Sequence, residues 1–304
     1  MKRIIYILVL LISHVGLTQQ DAIYSQYMFN PFAINPAYAG SRNAVNLVAI
    51  NRNQWLGLDG APTTQTISAH TPTNQKKLAW GVNFSHDKLG VTNNLMAMAT
   101  GAYQLLLESG TLNFGLRGGI YNTVIDQGQL TFREDNDLLD TKTRLSAMVP
   151  SFDFGLYYYT EKFYAGLSLN HLTKHRFNFA NLANNQTYYL RRHLFFGTGY
   201  VYKTDKNILI KPSILVKYAG PGSFNVDFNT NVMFNELFWI GIGFRNTSSL
   251  NFLLDFNVSD YLRIGYSYDM NLTKINNYSN GSHELLIGLD FNLRKPSFTT
   301  PRYL

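Results

Sequence analysis

Hydrophobic and polar residues alternate along this chain in runs of about ten residues. One such run extends from residue 224 to residue 232. Its apolar face carries Phe224, Val226, Phe228 and Val232, and its polar face carries Asn225, Asp227, Asn229 and Asn231. A period of two predicts a β-strand whose two faces meet different surroundings. Strands of soluble sandwiches also alternate, but a tilted strand of about ten residues has the length that crosses the hydrocarbon core of a membrane.

The same alternation recurs often enough to predict fourteen strands. We place them at 43–51, 63–71, 77–87, 93–107, 111–123, 148–160, 162–171, 187–203, 206–219, 222–234, 236–246, 249–258, 260–270 and 283–293. The connections after even-numbered strands are tight, whereas several after odd-numbered strands are long, at 52–62, 124–147, 172–186 and 271–282. Bacterial outer-membrane barrels combine short periplasmic turns with longer external loops. The sequence therefore predicts an all-β fold, a transmembrane antiparallel β-barrel of about 14 strands over residues 43–294, with both ends on the periplasmic side.

The polar rows of these strands contain charged residues and glycines that we expect to face the barrel interior. The charged residues predicted to face the lumen are Arg117, Asp227, Arg245, Asp255, Arg263, Asp269 and Asp290. They are interpreted either as a solvated interior in which opposite charges pair, or as the lining of a binding site. Inward glycines weaken a strand unless something approaches it closely. The glycines at 241, 243, 265 and 288 therefore favour a lumen that holds a packed segment over an open pore.

Residues 20–42 lack the alternation of the strands. Two Asn-Pro steps, at Asn30-Pro31 and Asn35-Pro36, interrupt regular structure there. The segment is too apolar for a solvated tail, since it contains Tyr24, Tyr27, Met28, Phe29, Phe32 and Tyr38. We predict that it packs inside or under the barrel as a plug. The alternative is a periplasmic arm that binds a partner.

The first 19 residues are typical of a signal peptide. Lys2 and Arg3 form its positive end, residues 4–12 its apolar stretch, and residues 16–20 a plausible cleavage region. No later run of about 18 apolar residues predicts a transmembrane helix. These features predict export to the cell outer membrane, with residues 295–304 as a periplasmic C-terminal tail.

Composition agrees with this reading. Aromatic residues make up 14% of the chain and charged residues only 15%, against about 25% charged residues in an average soluble domain. The formal net charge is +7, but the basic residues are scattered. We therefore expect them to face lipopolysaccharide or the lumen, not nucleic acid. The absence of cysteine excludes disulfides, thiolate metal sites, a cysteine nucleophile and a lipoprotein anchor.

Candidate catalytic and metal-binding motifs are weak. The sequence has neither Gly-x-Ser-x-Gly nor His-Glu-x-x-His. His171 and His175 are four residues apart but fall in a predicted loop, and the acidic residues at 135, 137 and 140 lack the glycine that a calcium loop requires. We predict no enzyme activity, no catalytic residues, no cofactor and no metal site.

Several motifs resemble those of the PorP/SprF family of Bacteroidota. The matching positions near the N-terminus are Tyr27, Met28, Phe29, Asn30, Pro31, Asn35, Pro36, Tyr38, Gly40, Arg52, Asn53, Gln54 and Trp55. The stretch Gly-Ala-Pro-Thr-Thr-Gln-Thr at 60–66 matches as well. The chain ends in Arg302, Tyr303 and Leu304, which resembles the family's Ser-Pro-Arg-Tyr-Phe ending, with Thr300 and Leu304 as departures.

The resemblance implies a role in the type IX secretion system and the associated gliding machinery. SprF-like members work with giant surface adhesins that carry type B C-terminal sorting domains, and PorP-like members connect to periplasmic components. We therefore expect loops 124–147, 172–186 and 271–282 to grip the cargo's C-terminal domain, and the tail from Lys295 to dock periplasmic type IX or gliding components. The predicted surroundings are outer-membrane lipid and lipopolysaccharide.

Two other functions stay open at this point. The first is a transporter for small hydrophobic molecules of the fatty-acid-uptake type, against which the Asn- and Asp-rich inward rows argue. The second is an outer-membrane lipase, which requires a Ser–His pair near the membrane rim that the sequence does not place. The identity of the cargo and the choice between gliding and secretion are not determined by the sequence.

Overall fold

The chain forms one closed antiparallel barrel of 14 strands in a computed structural model. The structure describes residues 24–42, 44–73, 77–129, 144–173, 176–177, 188–204, 207–220, 223–246 and 248–292. The predicted signal peptide (1–19) and C-terminal tail (295–304) lie outside these residues. The strands are β1 (Ala44–Asn53), β2 (Thr63–Pro72), β3 (Leu78–Leu89), β4 (Thr92–Leu107), β5 (Gly110–Asp126), β6 (Arg144–Tyr159), β7 (Phe163–Asn170), β8 (His193–Tyr200, resuming at Tyr202–Lys203), β9 (Ile208–Tyr218), β10 (Phe224–Phe234), β11 (Phe238–Arg245), β12 (Ser249–Asn257), β13 (Leu262–Asn271) and β14 (Ser282–Asn292).

Each strand pairs with its neighbours in the sequence, and the last strand pairs with the first. The closing pair, β1 with β14, is continuous from Ala44↔Asn292 to Asn53↔His283. Because lipid offers no hydrogen-bond partners, pairing every strand on both sides is what allows a sheet to cross a membrane. The predicted all-β barrel is thus confirmed.

Side chains alternate between the outside and the interior of the barrel. In β10, Phe228 is 49% exposed and Asp227 is 2% exposed. In β12, Leu254 is exposed and Asp255 is buried. The outward rows of Phe, Leu and Ile suit a hydrocarbon surface, and the inward rows hold most of the buried polar residues.

Three strand boundaries differ from the prediction by more than two residues. The predicted strand 187–203 begins only at His193, because Tyr188–Tyr189 pairs instead with Arg176–Phe177 in a separate two-stranded ladder. Arg176–Phe177 lies within the predicted loop 172–186, whereas Tyr188–Tyr189 lies at the start of the predicted strand. The other two differences shorten the predicted loop 124–147, because β5 extends to Asp126 and β6 begins at Arg144. The cross-strand pairing Asp126↔Arg144 explains that extension.

The connections sort by length between the two ends of the barrel, as predicted. The short-turn end, as we call it, carries the connections 73–77, 108–109, 160–162, 204–207, 235–237 and 258–261. The opposite, long-loop end carries 54–62, 127–143, 171–192 and 272–281, together with three shorter connections. Within the described residues, no helix is long and apolar enough to cross a membrane.

Candidate functional site

Residues 24–42, which we call the N-terminal segment, have a compact local structure set by their Asn-Pro steps. Two single 3-10 turns, Pro31–Ala33 and Pro36–Tyr38, each begin with proline. Proline suits this position because its fixed φ matches the turn and its missing N–H leaves no donor unpaired. The Asn35 side chain caps the second turn by accepting a hydrogen bond from the Ala37 N–H at 2.9 Å.

The N-terminal segment contacts inward-facing atoms on different sides of the barrel. The Tyr27 hydroxyl accepts a hydrogen bond from Asn229 Nδ2 on β10 at 2.8 Å. Asn35 Nδ2 donates to the Leu156 carbonyl on β6 at 3.0 Å. Burial, together with the carboxylate of Asp227, raises the pKa of the Tyr27 hydroxyl, which therefore stays neutral.

Several inward glycines mark where the N-terminal segment approaches the wall. A Cβ at Gly155 would collide with Asn35 Oδ1, and one at Gly115 would collide with the Ala37 backbone. Of the four glycines singled out in the sequence, Gly265 faces the segment, at Gln26 Oε1. The glycines at 241 and 243 instead accommodate neighbouring asparagines of β10, and that at 288 accommodates Arg263. Close approach by the segment therefore explains one of those four glycines.

A buried charge cluster holds the start of the N-terminal segment near the long-loop end. Arg52 donates from Nη1 to Glu284 at 3.0 Å and from Nη2 to Asp269 at 2.6 Å. The backbone N–H groups of Ser25 and Gln26 each donate to Glu284 at 2.9 Å. The Ser25 hydroxyl donates to Asp269 at 2.6 Å. Buried charges are tolerated when they are paired and hydrogen-bonded in this way.

A second charge cluster adjoins the first on β9, β10 and β11. Asp227 accepts from Arg245 Nε at 3.0 Å and from Lys217 Nζ at 2.6 Å. Arg245 Nη1 also lies 4.0 Å from Asp269. The two clusters therefore form one network across the interior.

The other predicted lumen residues also contact the N-terminal segment or a partner charge. Arg117 pairs with Asp153 at 2.7 Å and donates to the Phe32 carbonyl at 3.1 Å. Arg263 lies 3.6 Å from Asp255 and donates to the Phe29 carbonyl at 3.1 Å. The remaining one, Asp290, accepts from Arg42 at 2.6 Å, near the short-turn end.

Among the residues that the structure describes, four buried charged side chains of this interior were not predicted from the sequence. They are Asp153, Lys211, Lys217 and Glu284. Strand parity could have identified them, because each is an even number of residues away from another buried inward position on its own strand.

The family-motif residues that follow the N-terminal segment lie at the long-loop end. Asn53 ends β1 beside Arg52, and the Gln54 N–H donates to the Pro62 carbonyl at 2.9 Å. Trp55 has φ +47° and its N–H donates to Ser282 Oγ at 3.2 Å.

Another motif residue, Gly40, lies within the N-terminal segment. It has φ +74°, and a Cβ there would collide with Ala79, so glycine is required. The motif residues Arg302, Tyr303 and Leu304 lie outside the described residues.

A Ser–His pair, which the sequence did not place, is present in the structure. The Ser151 hydroxyl lies 2.7 Å from His171 Nδ1, and the backbone N–H of His171, not its ring, donates to Asp153 at 2.9 Å. Ser151 is fully buried on the interior face of β6, whereas a lipase of the outer membrane needs its serine at the lipid rim. His175 and the acidic residues at 135, 137 and 140 lie outside the described residues. Within the part of the chain that the structure describes, no three His, Asp or Glu side chains are grouped to hold a metal ion.

The chain was compared with known structures and proteins. The barrel is similar to the Acinetobacter baumannii outer membrane protein Omp33 (9% identity, TM-score 0.46, 82% of this chain and 98% of that one). It is also similar to the CymD monoaromatic hydrocarbon channel (13%, 0.47, 91% and 94%) and to a Pseudomonas aeruginosa FadL homologue (10%, 0.46, 88% and 94%). No functionally curated protein matches the sequence.

The family comparison agrees with the motifs and with the barrel. Residues 16–289 match the family model described as type IX secretion system membrane protein PorP/SprF. That range includes the N-terminal segment and nearly all of the barrel. The chain is therefore an outer-membrane β-barrel that belongs to the PorP/SprF family of type IX secretion system membrane proteins.

Proposed function

We propose that this outer-membrane barrel captures or anchors a secreted cargo protein at the cell surface, by binding a type B C-terminal domain such as that of a large adhesin. The main observation that supports the proposal is that the N-terminal segment occupies the barrel interior. The N-terminal segment is hydrogen-bonded to Glu284 on β14, Asn229 on β10 and Leu156 on β6. An interior filled in this way suits a barrel that holds a protein at its mouth better than one that conducts solutes.

In this proposal the N-terminal segment is a resident plug. Its support is the combination of buried ion pairs at its start and close glycine contacts at its centre. Arg52 and Glu284 hold the start, and Gly115 and Gly155 leave room for the second proline turn. The alternative, a periplasmic arm, would leave buried Arg117 and Arg263 without the carbonyl groups of the segment as acceptors.

Cargo capture is assigned to the long-loop end. There, the loops 54–62 and 272–281 are joined by two backbone hydrogen bonds, from Leu56 N to Gly281 O (2.8 Å) and from Asn280 N to Leu56 O (2.7 Å). Leu56 is 47% exposed and Tyr278 is 73% exposed on this joined surface. Tyrosine is among the residues enriched at hot spots of protein interfaces, and Leu56 places an apolar surface beside Tyr278. The loops 127–143 and 171–192 are proposed to complete the grip.

Other contacts are assigned by position. The outward rows of the strands are proposed to face outer-membrane lipid. The long-loop end is proposed to face lipopolysaccharide. The tail from Lys295 is proposed to dock periplasmic type IX or gliding components.

Co-purification tests the proposal. The full chain in detergent is incubated with a tagged type B C-terminal domain, and bound domain is quantified. Substituting Leu56→Ala and Tyr278→Ala together is expected to weaken binding at least roughly tenfold, since losing a hot spot costs about 2 kcal/mol. The matched control is Leu237→Ala, an exposed apolar residue at the short-turn end. If deletion of the loops 127–143, 171–192 and 272–281 leaves binding intact, the capture proposal is wrong.

The competing function, transport of small hydrophobic molecules, needs a continuous apolar passage. An apolar cavity between the N-terminal segment and strands β6 to β9 has a volume of about 40 Å³, well below the roughly 300–1,000 Å³ of pockets that hold small-molecule ligands. A lipid recovered from the lumen of the purified barrel would support transport instead of capture.

A further inference from the structure

A cleft of about 370 Å³ opens at the short-turn end, opposite the proposed cargo surface. Its volume lies in the range of pockets that hold a ligand, about 300–1,000 Å³. Its inner wall includes Met28 and Phe29 of the N-terminal segment and Trp239 of β11, and its rim is formed by the turns 235–237 and 258–261. The cleft therefore has room for an apolar side chain that enters from the periplasmic side of the predicted orientation.

The charged groups in the deep part of the cleft already have partners within the protein. Arg42 lies 2.6 Å from Asp290, and Arg263 lies 3.6 Å from Asp255. The ammonium of Lys211 lies over an aromatic ring, 5.2 Å from its centre. The deep part therefore suits an uncharged side chain better than a charged one.

The rim of the cleft is different, since it is both acidic and apolar. Glu236 and Asp260 are exposed there, one on each of the two turns. Beside them, Leu237 is 44% exposed and Val258 is 48% exposed. The rim therefore fits a peptide segment that combines basic and apolar side chains.

The last strand of the barrel leads directly to this rim. Asp290 of β14 lines the cleft, and its N–H donates to the carbonyl of Tyr261, in the turn 258–261, at 2.9 Å. Residues 293–304, here called the C-terminal segment, follow β14 in the sequence and include the tail from Lys295. The C-terminal segment therefore starts beside the acidic turn 258–261.

The composition and length of the C-terminal segment match the cleft. Arg294 and Lys295 come first, and Phe298 follows three residues later. The turn 235–237 lies three strands from β14, which corresponds to about 14 Å at about 4.8 Å per strand. An extended chain of six residues, from 292 to 298, spans about 20 Å. The aromatic ring can therefore reach the inner wall while the two basic residues stay near the rim.

We propose that the C-terminal segment folds back under the barrel and occupies this cleft, with the Phe298 ring against the apolar inner wall and Arg294 and Lys295 beside the acidic rim. This proposal rests on the periplasmic assignment of the tail and adds where the tail lies in the barrel itself. A periplasmic component that docks the tail would then meet it at this rim. The tests use the purified barrel without a partner, so their outcome is separate from that of cargo capture and of periplasmic docking.

Engineered disulfides locate the C-terminal segment in the full chain. The sequence contains no cysteine, so a double variant can form only the designed bond. Leu237→Cys with Thr299→Cys tests the cleft, and Lys77→Cys with Thr299→Cys is the matched control, because Lys77 is an exposed turn residue that also lies three strands from β14. A disulfide requires Cα atoms within about 7 Å.

We expect the Leu237 pair to oxidise at least roughly tenfold faster than the Lys77 pair, measured by mass spectrometry of proteolytic peptides. Equal rates would show that the C-terminal segment does not favour the cleft, and the proposal would be wrong. A disulfide that links two chains, seen as a band of double mass, would mean that the cleft takes the segment of a second copy, which also overturns the proposal.

A peptide titration tests the same occupancy without cysteines. A shortened chain that stops after Asn292 is titrated calorimetrically, in non-ionic detergent, with a synthetic peptide of residues 293–304. We expect a Kd of about 0.1 mM or tighter. The full chain is expected to bind the peptide at least roughly tenfold more weakly, because its own segment competes at an effective concentration on the order of 1 mM.

Two altered peptides identify the anchor. Phe298→Ala is expected to weaken binding to the shortened chain at least roughly tenfold, the effect of losing a buried phenyl ring. Ser297→Ala is the control and is expected to leave binding unchanged. If the unaltered peptide binds the shortened and full chains equally, or binds neither, the proposal is overturned. If the shortened chain does not fold, the comparison of the two disulfides decides.

Discussion

Single residues contribute to the stability of this barrel mainly by neutralising buried charges. Glu284 is the clearest case, because it is fully buried and accepts from two backbone N–H groups and from Arg52. A buried carboxylate with this many donors is stable only while all of them stay in place. Glu284 therefore fixes the backbone of the N-terminal segment at this end, next to the hydrogen bond between Ser25 and Asp269.

Replacing that carboxylate gives a direct prediction. Glu284→Gln removes one charge of the Arg52 network and puts an amide donor where acceptors are needed, so we expect a loss of about 3–5 kcal/mol in unfolding free energy. Urea unfolding of the barrel in detergent measures it. Glu108→Gln, at an exposed turn residue, is the control and is expected to change the free energy by less than about 0.5 kcal/mol. If the two substitutions lowered the unfolding free energy equally, the Arg52 network would contribute no more to stability than an exposed turn residue does.

A glycine of the inner wall gives a second prediction at this scale. Gly155→Ala places a methyl group against Asn35, and such overpacking is expected to cost about 1–3 kcal/mol. The second proline turn is also expected to loosen, so that trypsin cuts after Arg42 faster than in the parent chain. Gly101→Ala is the control, because its added Cβ meets the Trp80 ring at 3.4 Å, an ordinary contact distance. Unchanged cleavage in both variants would contradict the close packing of the segment.

At the scale of elements, the strands were predictable and the interior segment was only partly so. Strand positions follow from a local signal, the period of two, and 13 of the 14 observed strands begin within four residues of the prediction. The exception, β8, begins late because Tyr188–Tyr189 pairs with Arg176–Phe177. That pairing depends on how a loop folds back, which alternation does not encode.

The N-terminal segment shows more clearly which contacts cannot be predicted from the sequence. Its apolar content and its Asn-Pro steps indicated a packed, irregular segment, but the partners of each residue come from strands far away in the sequence. Glu284 is 258 residues from Gln26, and Asn229 is 202 residues from Tyr27. Such pairs depend on barrel closure and cannot be derived from local spacing. For the same reason, the sequence indicated that the lumen is polar and charged but not which charges pair.

Deletion of the N-terminal segment tests whether it acts as a plug in the barrel. A chain in which residue 43 directly follows the signal peptide is expected to form channels in a planar lipid bilayer, because a barrel of this size without a plug leaves an aqueous path. The full chain is expected to show few or no conductance steps. Adding a synthetic peptide of residues 20–42 is expected to reduce the current of the shortened barrel. If the shortened and full chains conduct equally, the segment is not a plug.

At the scale of the whole molecule, the outer faces of the strands determine where the barrel lies in the membrane. Leu254 lies mid-strand on β12 and is exposed on the outer face, whereas Val258 follows the same strand at the short-turn end and is also exposed. If the barrel spans the bilayer as the loop lengths indicate, these two positions lie at different depths. The cost of a charge should then differ between them, although both are apolar and exposed.

This difference is measurable. Leu254→Arg is expected to lower the unfolding free energy in lipid vesicles by about 2–4 kcal/mol, and Val258→Arg by about 0–1 kcal/mol, because the cost of an arginine falls from the bilayer midplane to the interface. Guanidinium titration followed by tryptophan fluorescence gives both values. In detergent micelles, whose apolar region adapts to the protein, the gap is expected to narrow. Equal costs in vesicles would mean that β12 does not cross the hydrocarbon core, and the assignment of lipid to the outer rows would then fail for the whole barrel.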